Sequence, residues 1–201
     1  MDSLDIKKGK LVLIVGPSGS GKGTIIMHLR ERHPNWIFPV SWTTRAMRPG
    51  EVEGQVYHFV SKEEFEKGLV SDQFLEYAIV HEKGYYGTDK EEILKGINSG
   101  KIVVREVDIQ GFNSIKKAFA DGFDGLTSSH LLTIFIEAKD LEELQKRIAE
   151  RGKLPAEEVE RRMESARKEI AQADLCDYRI LNEYGKVEDA VGKVDWIILG
   201  N

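Results

Sequence analysis

A glycine-rich run near the start of the chain ends in a lysine and a hydroxyl residue, a combination typical of a phosphate-binding loop. Its members are Gly16, Pro17, Ser18, Gly19, Ser20, Gly21, Lys22, Gly23 and Thr24. A β-branched apolar segment at 11–15 precedes the run, and apolar residues at helical spacing follow it. In that setting backbone N–H groups and a helix N-terminus face a phosphate. We therefore predict that the run binds the phosphates of ATP, with Lys22 offsetting charge as the γ-phosphoryl group leaves.

The end of this run departs from the common pattern, in which the hydroxyl residue directly follows the lysine. Here Gly23 intervenes between Lys22 and Thr24. The magnesium contact usually made by that hydroxyl is therefore left open for Thr24. A plain glycine turn between a strand and a helix is the alternative interpretation, which Lys22 and the flanking pattern disfavour.

A second block combines arginines with tyrosines and could bind another phosphate. It reads Ser-Trp-Thr-Thr-Arg-Ala-Met-Arg-Pro-Gly-Glu at 41–51, followed by Gly54 and by Tyr-His-Phe at 57–59. Arginine forks match phosphate oxygens bidentately, and two arginines three residues apart can converge on one dianion. Tyrosine hydroxyls add neutral donors, although Tyr57 and Tyr86 could instead be core aromatics.

At this point the chain resembles the guanylate kinase family. That family carries Ser-x-Thr-Thr-Arg-x-x-Arg-x-Gly-Glu and then Gly-x-x-Tyr-x-Phe, at this spacing after the phosphate loop. The similarity covers nearly the whole chain in order, continuing through 74–77, 85–88, 106–111, 147–152, 161–162 and 177–182. The resemblance implies phosphoryl transfer from ATP to GMP, with Mg²⁺ bound to ATP and with mobile lid and GMP-binding regions.

The resemblance also implies roles for individual residues. The GMP-binding set comprises Ser41, Arg45, Arg48, Tyr57, Glu76, Tyr86, Gly87, Thr88 and Asp108. Within it the arginines and tyrosines hold the phosphate, Ser41 lies at the phosphate or nearer the base, and Glu76, Thr88 and Asp108 read guanine. Those implied to close over the transferring phosphates are Arg147, Arg151 and Arg162. Asn182 is implied to lie near the adenine of ATP.

Base chemistry supports the acidic assignments. Guanine presents two donors, N1–H and the 2-amino group, where adenine presents an acceptor at N1, so a carboxylate favours guanine. Glu106 and Asp108 are two apart on a predicted strand, which would turn both toward one face. Asp108 would then face the base and Glu106 the water shell of magnesium, without a direct protein ligand. A hydrolytic acid–base pair is the alternative, disfavoured because phosphoryl transfer depends on positioning and charge neutralisation.

The lid arginines have a plainer interpretation as surface ion pairs. Glu143 and Arg147 are four residues apart on a predicted helix, as are Arg147 and Arg151. Residues at this spacing are neighbours on a helix surface. The family pattern favours the catalytic interpretation for Arg147 and Arg162.

The pattern of elements predicts an α/β fold: a P-loop parallel sheet core flanked by helices, a small mixed GMP-binding insertion and a helical lid. Buried strands are predicted at 11–15, 102–107, 131–137 and 178–181. Asp140 should cap a helix ending near 150, Pro155 should open another with an apolar face from 159 to 173, and a last helix should cover 187–194. We expect one domain over 1–201, with its core at 1–38, 89–138 and 174–201, the GMP-binding region at 39–88 and the lid at about 139–173.

Composition and charge restrict the classes of protein to which the chain can belong. The chain has 201 residues and a formal charge of −5, which makes it a poor general binder of nucleic acid. One cysteine excludes an internal disulfide, and the apolar run at 11–15 is too short for a signal peptide or membrane span. We expect a cytoplasmic protein with ATP and GMP as partners, no membrane or nucleic-acid partner, and a homo-oligomer left open. Two rivals remain: a non-catalytic scaffold domain of this fold that binds phosphorylated protein segments, and a sugar-phosphate kinase.

Overall fold

The computed structural model describes residues 9–55, 57–80, 84–150 and 154–200. Helices and strands alternate along much of the chain. They are β1 (Lys10–Val15), α1 (Lys22–Arg32), β2 (Ser41–Thr43), β3 (Tyr57–Phe59), α2 (Lys62–Val70), β4 (Phe74–Val80), β5 (Gly84–Asp89), α3 (Lys90–Asn98), β6 (Ile102–Glu106), α4 (Ile109–Ala120), β7 (Leu131–Glu137), α5 (Leu141–Glu150), α6 (Ala156–Ile170), β8 (Tyr178–Leu181) and α7 (Val187–Leu199). None of the helices in these ranges is long and apolar enough to cross a membrane.

The core is a parallel sheet in the order β6-β1-β7-β8, which confirms the predicted architecture. Residues 11–15 of β1 are fully buried, because their alternate side chains enter two apolar clusters. One cluster packs α3 and α4 on one face, and the other packs α1 and α7 on the opposite face. The strands predicted at 131–137 and 178–181 are confirmed residue for residue. The predicted strand 102–107 ends one residue early, at Glu106.

A smaller mixed sheet in the order β3-β2-β5-β4 lies beside the core, as predicted for the middle of the chain. Strands β2 and β3 are parallel, whereas β5 is antiparallel to both of its neighbours. Phe65 of α2 stacks on Phe74 of β4 with ring centroids 4.3 Å apart, and this pair covers one face of the sheet. A Cβ on Gly87 would lie 2.9 Å from each ring, so β5 can approach the pair only through a glycine.

Helices α5 and α6 form a unit with an apolar cluster of its own. The cluster comprises Leu144, Ile148, Val159, Met163 and Ala166. Asp140 caps α5, accepting a hydrogen bond from the Glu143 N–H at 2.8 Å, which confirms the predicted cap. The predicted apolar face of the second helix is wrong beyond Ile170, because the helix ends there and Ala173 packs into the main core instead. Ile170, the last residue of α6, packs against this cluster and also against the core cluster that contains α3 and α4.

Candidate active site

The phosphate loop (residues 16–24) joins β1 to α1, the setting that the sequence predicted. Gly16, Gly19 and Gly21 have φ values of 141°, 86° and 92°, which residues with side chains rarely adopt. A Cβ on Gly16 would lie 2.2 Å from the Ile136 carbonyl oxygen of β7. The loop is therefore drawn tightly over the carboxyl end of the sheet, with the N-terminus of α1 behind it.

Asn182, directly after β8, holds the phosphate loop in place. Its Nδ2 donates to the Ser20 carbonyl oxygen at 2.8 Å, and its side chain is 5% exposed. A Cβ on Gly21 would lie 2.2 Å from the same Nδ2. The Asn182 carbonyl oxygen in turn accepts a hydrogen bond from Arg147 Nη2 at 2.8 Å. Asn182 thus connects the loop to the lid, and its proximity to adenine stays a prediction.

Lys22 extends across the phosphate loop from the first turn of α1. Its Nζ donates to the carbonyl oxygens of Gly16 at 2.6 Å and Pro17 at 3.1 Å, and it is buried. The same nitrogen lies 3.6 Å from Glu106 Oε1, at the carboxyl end of β6. The ammonium group is thereby positioned between the loop backbone and a carboxylate.

A cavity of about 550 Å³ opens in front of the loop. Its lining includes Gly21, Lys22, Thr24, Glu106 and Arg147. The lysine and the arginine are suited to phosphate oxygens, while the carboxylate and the exposed Thr24 hydroxyl offer oxygen ligands to a hydrated cation. The lining therefore suits the polyphosphate of a nucleotide.

Arg45, directly after the mixed-sheet strand β2, is the centre of a second group of predicted phosphate-binding residues. Its Nη1 and Nη2 each donate to a Glu51 oxygen at 2.8 Å, and Glu51 also accepts from the Arg48 N–H at 2.8 Å. The Arg45 guanidinium lies 5.1 Å from the ring centroid of Tyr57, and the Tyr57 and Tyr86 rings meet edge to face at 5.7 Å. Four of the predicted phosphate-binding residues therefore share one locality.

The Glu51 ion pair gives a testable pH dependence. Arg45, and then the Arg48 N–H, lower the pKa of Glu51 to about 2. Because this folded-state pKa is depressed, the pair stabilises the fold above the ordinary carboxyl pKa and stops doing so as the pH falls toward 2. We expect wild type to exceed Glu51→Gln in free energy of unfolding at neutral pH. Urea titrations should show that difference shrinking between about pH 5 and about pH 2.

Glu66 provides the control for this prediction. Its carboxylate forms an exposed pair with Lys62, so Glu66→Gln should change stability little at any pH. A Glu51→Gln difference that stays constant across the pH series would contradict the assignment.

The predicted base-reading residues converge at the edge where the two sheets meet. Glu76 of β4 and Thr88 of β5 are cross-strand partners, and the Thr88 hydroxyl donates to Glu76 Oε1 at 2.5 Å. Burial raises the pKa of Glu76, and Asp108 acts in the same direction, while Thr88 and Arg105 oppose the rise. A Cβ on Gly111, in the first turn of α4, would lie 3.1 Å from Glu76 Oε2. The carboxylate therefore lies in a confined, polar position.

The expectation that Asp108 and Glu106 share a strand is wrong. Strand β6 ends at Glu106, and Asp108 caps α4, accepting a hydrogen bond from the Gly111 N–H at 2.8 Å. The capping bond ends the extended backbone that the same-face argument required. Asp108 still lies near Glu76, because α4 starts beside β4.

Arg105 contacts two of the predicted site residues, and the sequence reasoning missed it. It donates to Thr88 Oγ1 at 3.0 Å, to the Pro39 carbonyl oxygen at 3.1 Å and to Ser41 Oγ. It thereby brings Ser41 beside Thr88. An arginine directly after the three apolar residues that start β6 was the available signal, since a charge in such a strand needs partners.

Two of the predicted lid arginines, Arg147 and Arg162, make ion pairs on their helices, and Arg147 also reaches the phosphate loop region. Arg147 pairs with Glu143 and bonds Asn182, so it joins the cavity in front of the loop. Arg162 Nε donates to Glu158 Oε1 at 2.9 Å. Arg151 lies outside the described residues.

Comparisons with known proteins agree with this geometry. The family model described as Guanylate kinase matches residues 8–199. A guanylate kinase of Trichormus variabilis is 43% identical over 87% of this chain and 83% of that protein. One from Clostridium perfringens, strain SM101, is 43% identical over 96% of this chain and 83% of its own length. The crystal structure of a guanylate kinase from Anaplasma phagocytophilum superposes with a TM-score of 0.71 at 25% identity, covering 96% of this chain and 86% of that one.

Proposed function

The chain belongs to the guanylate kinase family, and from that premise we propose how its residues carry out the reaction. The protein is an ATP:GMP phosphotransferase that yields ADP and GDP. One observation supports the assignment of a donor site and an acceptor site: two adjacent residues of β6 contact one site each. Glu106 lies 3.6 Å from Lys22 of the phosphate loop, and Arg105 lies 3.0 Å from Thr88 of the acceptor pocket. Donor and acceptor therefore meet at the carboxyl end of this strand.

On the donor side, the phosphate loop binds the ATP phosphates through backbone N–H groups, and Lys22 neutralises charge at the β- and γ-phosphates. An oxygen of the GMP phosphate forms a bond to the γ-phosphorus as the bond to the ADP oxygen breaks, roughly in line. No covalent enzyme intermediate is needed. Arg147 and Arg162, together with Arg151, stabilise the charge that spreads over the transferring group.

On the acceptor side, Arg45, Arg48, Tyr57 and Tyr86 hold the GMP phosphate. The Glu51 carboxylate keeps the Arg45 fork oriented before the ligand arrives, since it engages both Nη atoms. This orientation reduces the rotamer entropy lost on binding.

The base is read beside the core sheet. The Glu76 carboxylate accepts from guanine N1–H and the 2-amino group, with Asp108 as a second acceptor, while Thr88 and Ser41 face O6. Gly87 lets β5 lie close against Phe65 and Phe74, which keeps Thr88 in register with Glu76.

Magnesium suits the donor site through oxygen atoms of ATP and water. The described residues hold no cluster of three or more His, Cys, Asp or Glu side chains that could hold a metal ion. Mg²⁺ usually keeps several waters and binds through substrate phosphates with one or two protein oxygens. Glu106 would contact its water shell and Thr24 could supply a hydroxyl, and the bound cation would neutralise charge on the β- and γ-phosphates.

Closure of the lid completes the site. The α5–α6 cluster has its own buried members and meets the core through Ile170 at the end of α6, so we take the lid to move as one body about that end. We take the moving regions to be about 139–173 and 39–88, against a core formed by 1–38, 89–138 and 174–201. Closure excludes water, which would otherwise hydrolyse ATP.

A coupled assay of ADP formation tests this function. With ATP and Mg²⁺ present, GMP should be the preferred acceptor among GMP, AMP, CMP and UMP, and GDP should be the second product. Chelation by EDTA should abolish turnover, and excess Mg²⁺ should restore it. A non-catalytic scaffold domain would bind phosphorylated ligands without releasing ADP, and a sugar-phosphate kinase would leave GMP unchanged.

A further inference from the structure

The guanidinium of Arg105 ties together three segments that are distant in sequence. From β6 it donates to the carbonyl oxygen of Pro39, to the hydroxyl of Ser41 in β2 and to the hydroxyl of Thr88 in β5. Two of these partners are therefore hydroxyl groups of the acceptor pocket. Arg105 therefore links the core sheet to the edge of the mixed sheet that is predicted to contact the base.

Hydrogen-bond chemistry limits what those two hydroxyls can do. A hydroxyl has one proton to donate and two lone pairs with which to accept, whereas a guanidinium only donates. Because Arg105 donates into both oxygens, the protons of Ser41 and Thr88 must point away from it. The Thr88 proton is directed to Glu76 Oε1 in this structure. The Ser41 hydroxyl therefore keeps its proton to donate on the side away from Arg105, and Thr88 can donate to a base when its proton turns from Glu76.

We propose that Arg105 is a specificity-determining positioning residue, which fixes the hydroxyls of Ser41 and Thr88 as donors and so favours the O6 carbonyl of guanine over the 6-amino group of adenine. The proposal rests on the function proposed above. Adenine would require an acceptor where guanine requires a donor. A hydroxyl held by Arg105 keeps one free lone pair, whereas a released hydroxyl has both lone pairs free and can rotate to accept from the 6-amino group. The arginine therefore disfavours the arrangement that adenine needs.

The charge of Arg105 also favours guanine, through its effect on the Glu76 carboxylate. The groups facing the Glu76 carboxylate are the Thr88 hydroxyl from β5, Arg105 from β6 and Asp108 from the start of α4. Arg105 itself faces Glu76, Glu106, Tyr57 and Glu92. Burial and Asp108 raise the pKa of Glu76, and Arg105 opposes them. Removing the guanidinium would leave a carboxylate that takes up a proton more readily and accepts less well from guanine.

The test compares Arg105→Met and Arg105→Lys with wild type in kcat/KM for GMP and for AMP. Arg105→Met should lower kcat/KM for GMP by about 10- to 100-fold, mainly through KM, the range expected for a lost hydrogen bond to a charged group. The value for AMP should be unchanged or higher, so that the GMP-to-AMP ratio falls. Arg105→Lys keeps the charge and should recover part of that ratio. The KM of Arg105→Met for GMP should also rise more steeply than that of wild type as the pH is lowered.

Two controls separate specificity from folding. Arg179→Met removes a different sheet arginine, which pairs with Glu137 and Asp174, and should leave the GMP-to-AMP ratio unchanged. In a Thr88→Ala background, Arg105→Met should lower the ratio by a smaller factor than in wild type, because the two changes act through one bond. If Arg105→Met does not fold, Arg105→Lys is compared in the same way.

An equal loss for GMP and AMP, with the ratio unchanged, would overturn the proposal and make Arg105 a structural anchor alone. Independent losses from Arg105→Met and Thr88→Ala would also overturn it. If wild type transfers no phosphoryl group to GMP, the proposed function fails separately. Calorimetric affinities for GMP and AMP would then still decide whether Arg105 sets the base preference.

Discussion

Arg162→Ala should lower kcat by about 10³-fold, whereas Arg161→Ala should leave it nearly unchanged. The two arginines are adjacent on α6, and both pair with Glu158. The side chain of Arg161 is 65% exposed and that of Arg162 is 30% exposed. If Arg162 closes over the γ-phosphoryl group, its charge acts mainly in the transition state, so kcat falls while the affinity for GMP is retained. Single-turnover rates and GMP titrations for both variants measure this difference.

Because Arg161 and Arg162 both pair with Glu158, each variant loses an ion pair to the same partner. A solvent-accessible ion pair within one helix contributes little to stability, so both variants should melt close to wild type. Arg147→Ala should resemble Arg162→Ala in kcat, but it should also perturb the phosphate loop, because Arg147 bonds the Asn182 carbonyl oxygen. Equal and small losses in Arg161→Ala and Arg162→Ala would return Arg162 to the role of a surface ion pair.

Wild type should favour GMP over AMP by roughly 10⁴- to 10⁵-fold in kcat/KM, and Glu76→Gln should reduce that preference strongly. A site built around hydrogen bonds rejects an analogue that leaves its buried groups unpaired. Glutamine keeps the size of Glu76 but replaces one acceptor oxygen with a donor. GMP should therefore lose far more than AMP, and IMP, which lacks the 2-amino group, should lie between them. The measurement is kcat/KM for the three acceptors in both proteins.

Glu53→Gln is the matched control for this prediction. Glu53 is also a carboxylate of the mixed region, but it accepts from the Phe59 N–H and contacts His58, on the far side of β3 from the base site. Glu53→Gln should change kcat/KM for GMP, IMP and AMP by one common factor. If Glu76→Gln likewise lowers all three equally, Glu76 supports the fold, and base recognition must be sought at Asp108.

Several features followed from local sequence alone. Strand β1 was predictable because a continuous β-branched segment is stable only when both faces are buried. The cap at Asp140 and the phosphate loop depend on residues within a few positions of each other, so their spacing was sufficient. The residues of the acceptor site came from the family pattern, which preserves order along the chain. These features require no knowledge of which distant segments meet.

Tertiary packing decided the rest. Asp108 lies outside the predicted strand because its side chain caps α4. Ala173 lies outside the predicted lid helix because the chain turns back into the core after Ile170. The bonds of Arg105 span 66, 64 and 17 residues, to Pro39, Ser41 and Thr88. The sequence by itself determined that this protein binds phosphates and reads a base. Only the tertiary structure decided that Arg105 joins Ser41 and Thr88, the hydroxyls that we propose face guanine, because hydrogen bonds over such separations depend on how the mixed sheet docks against the core.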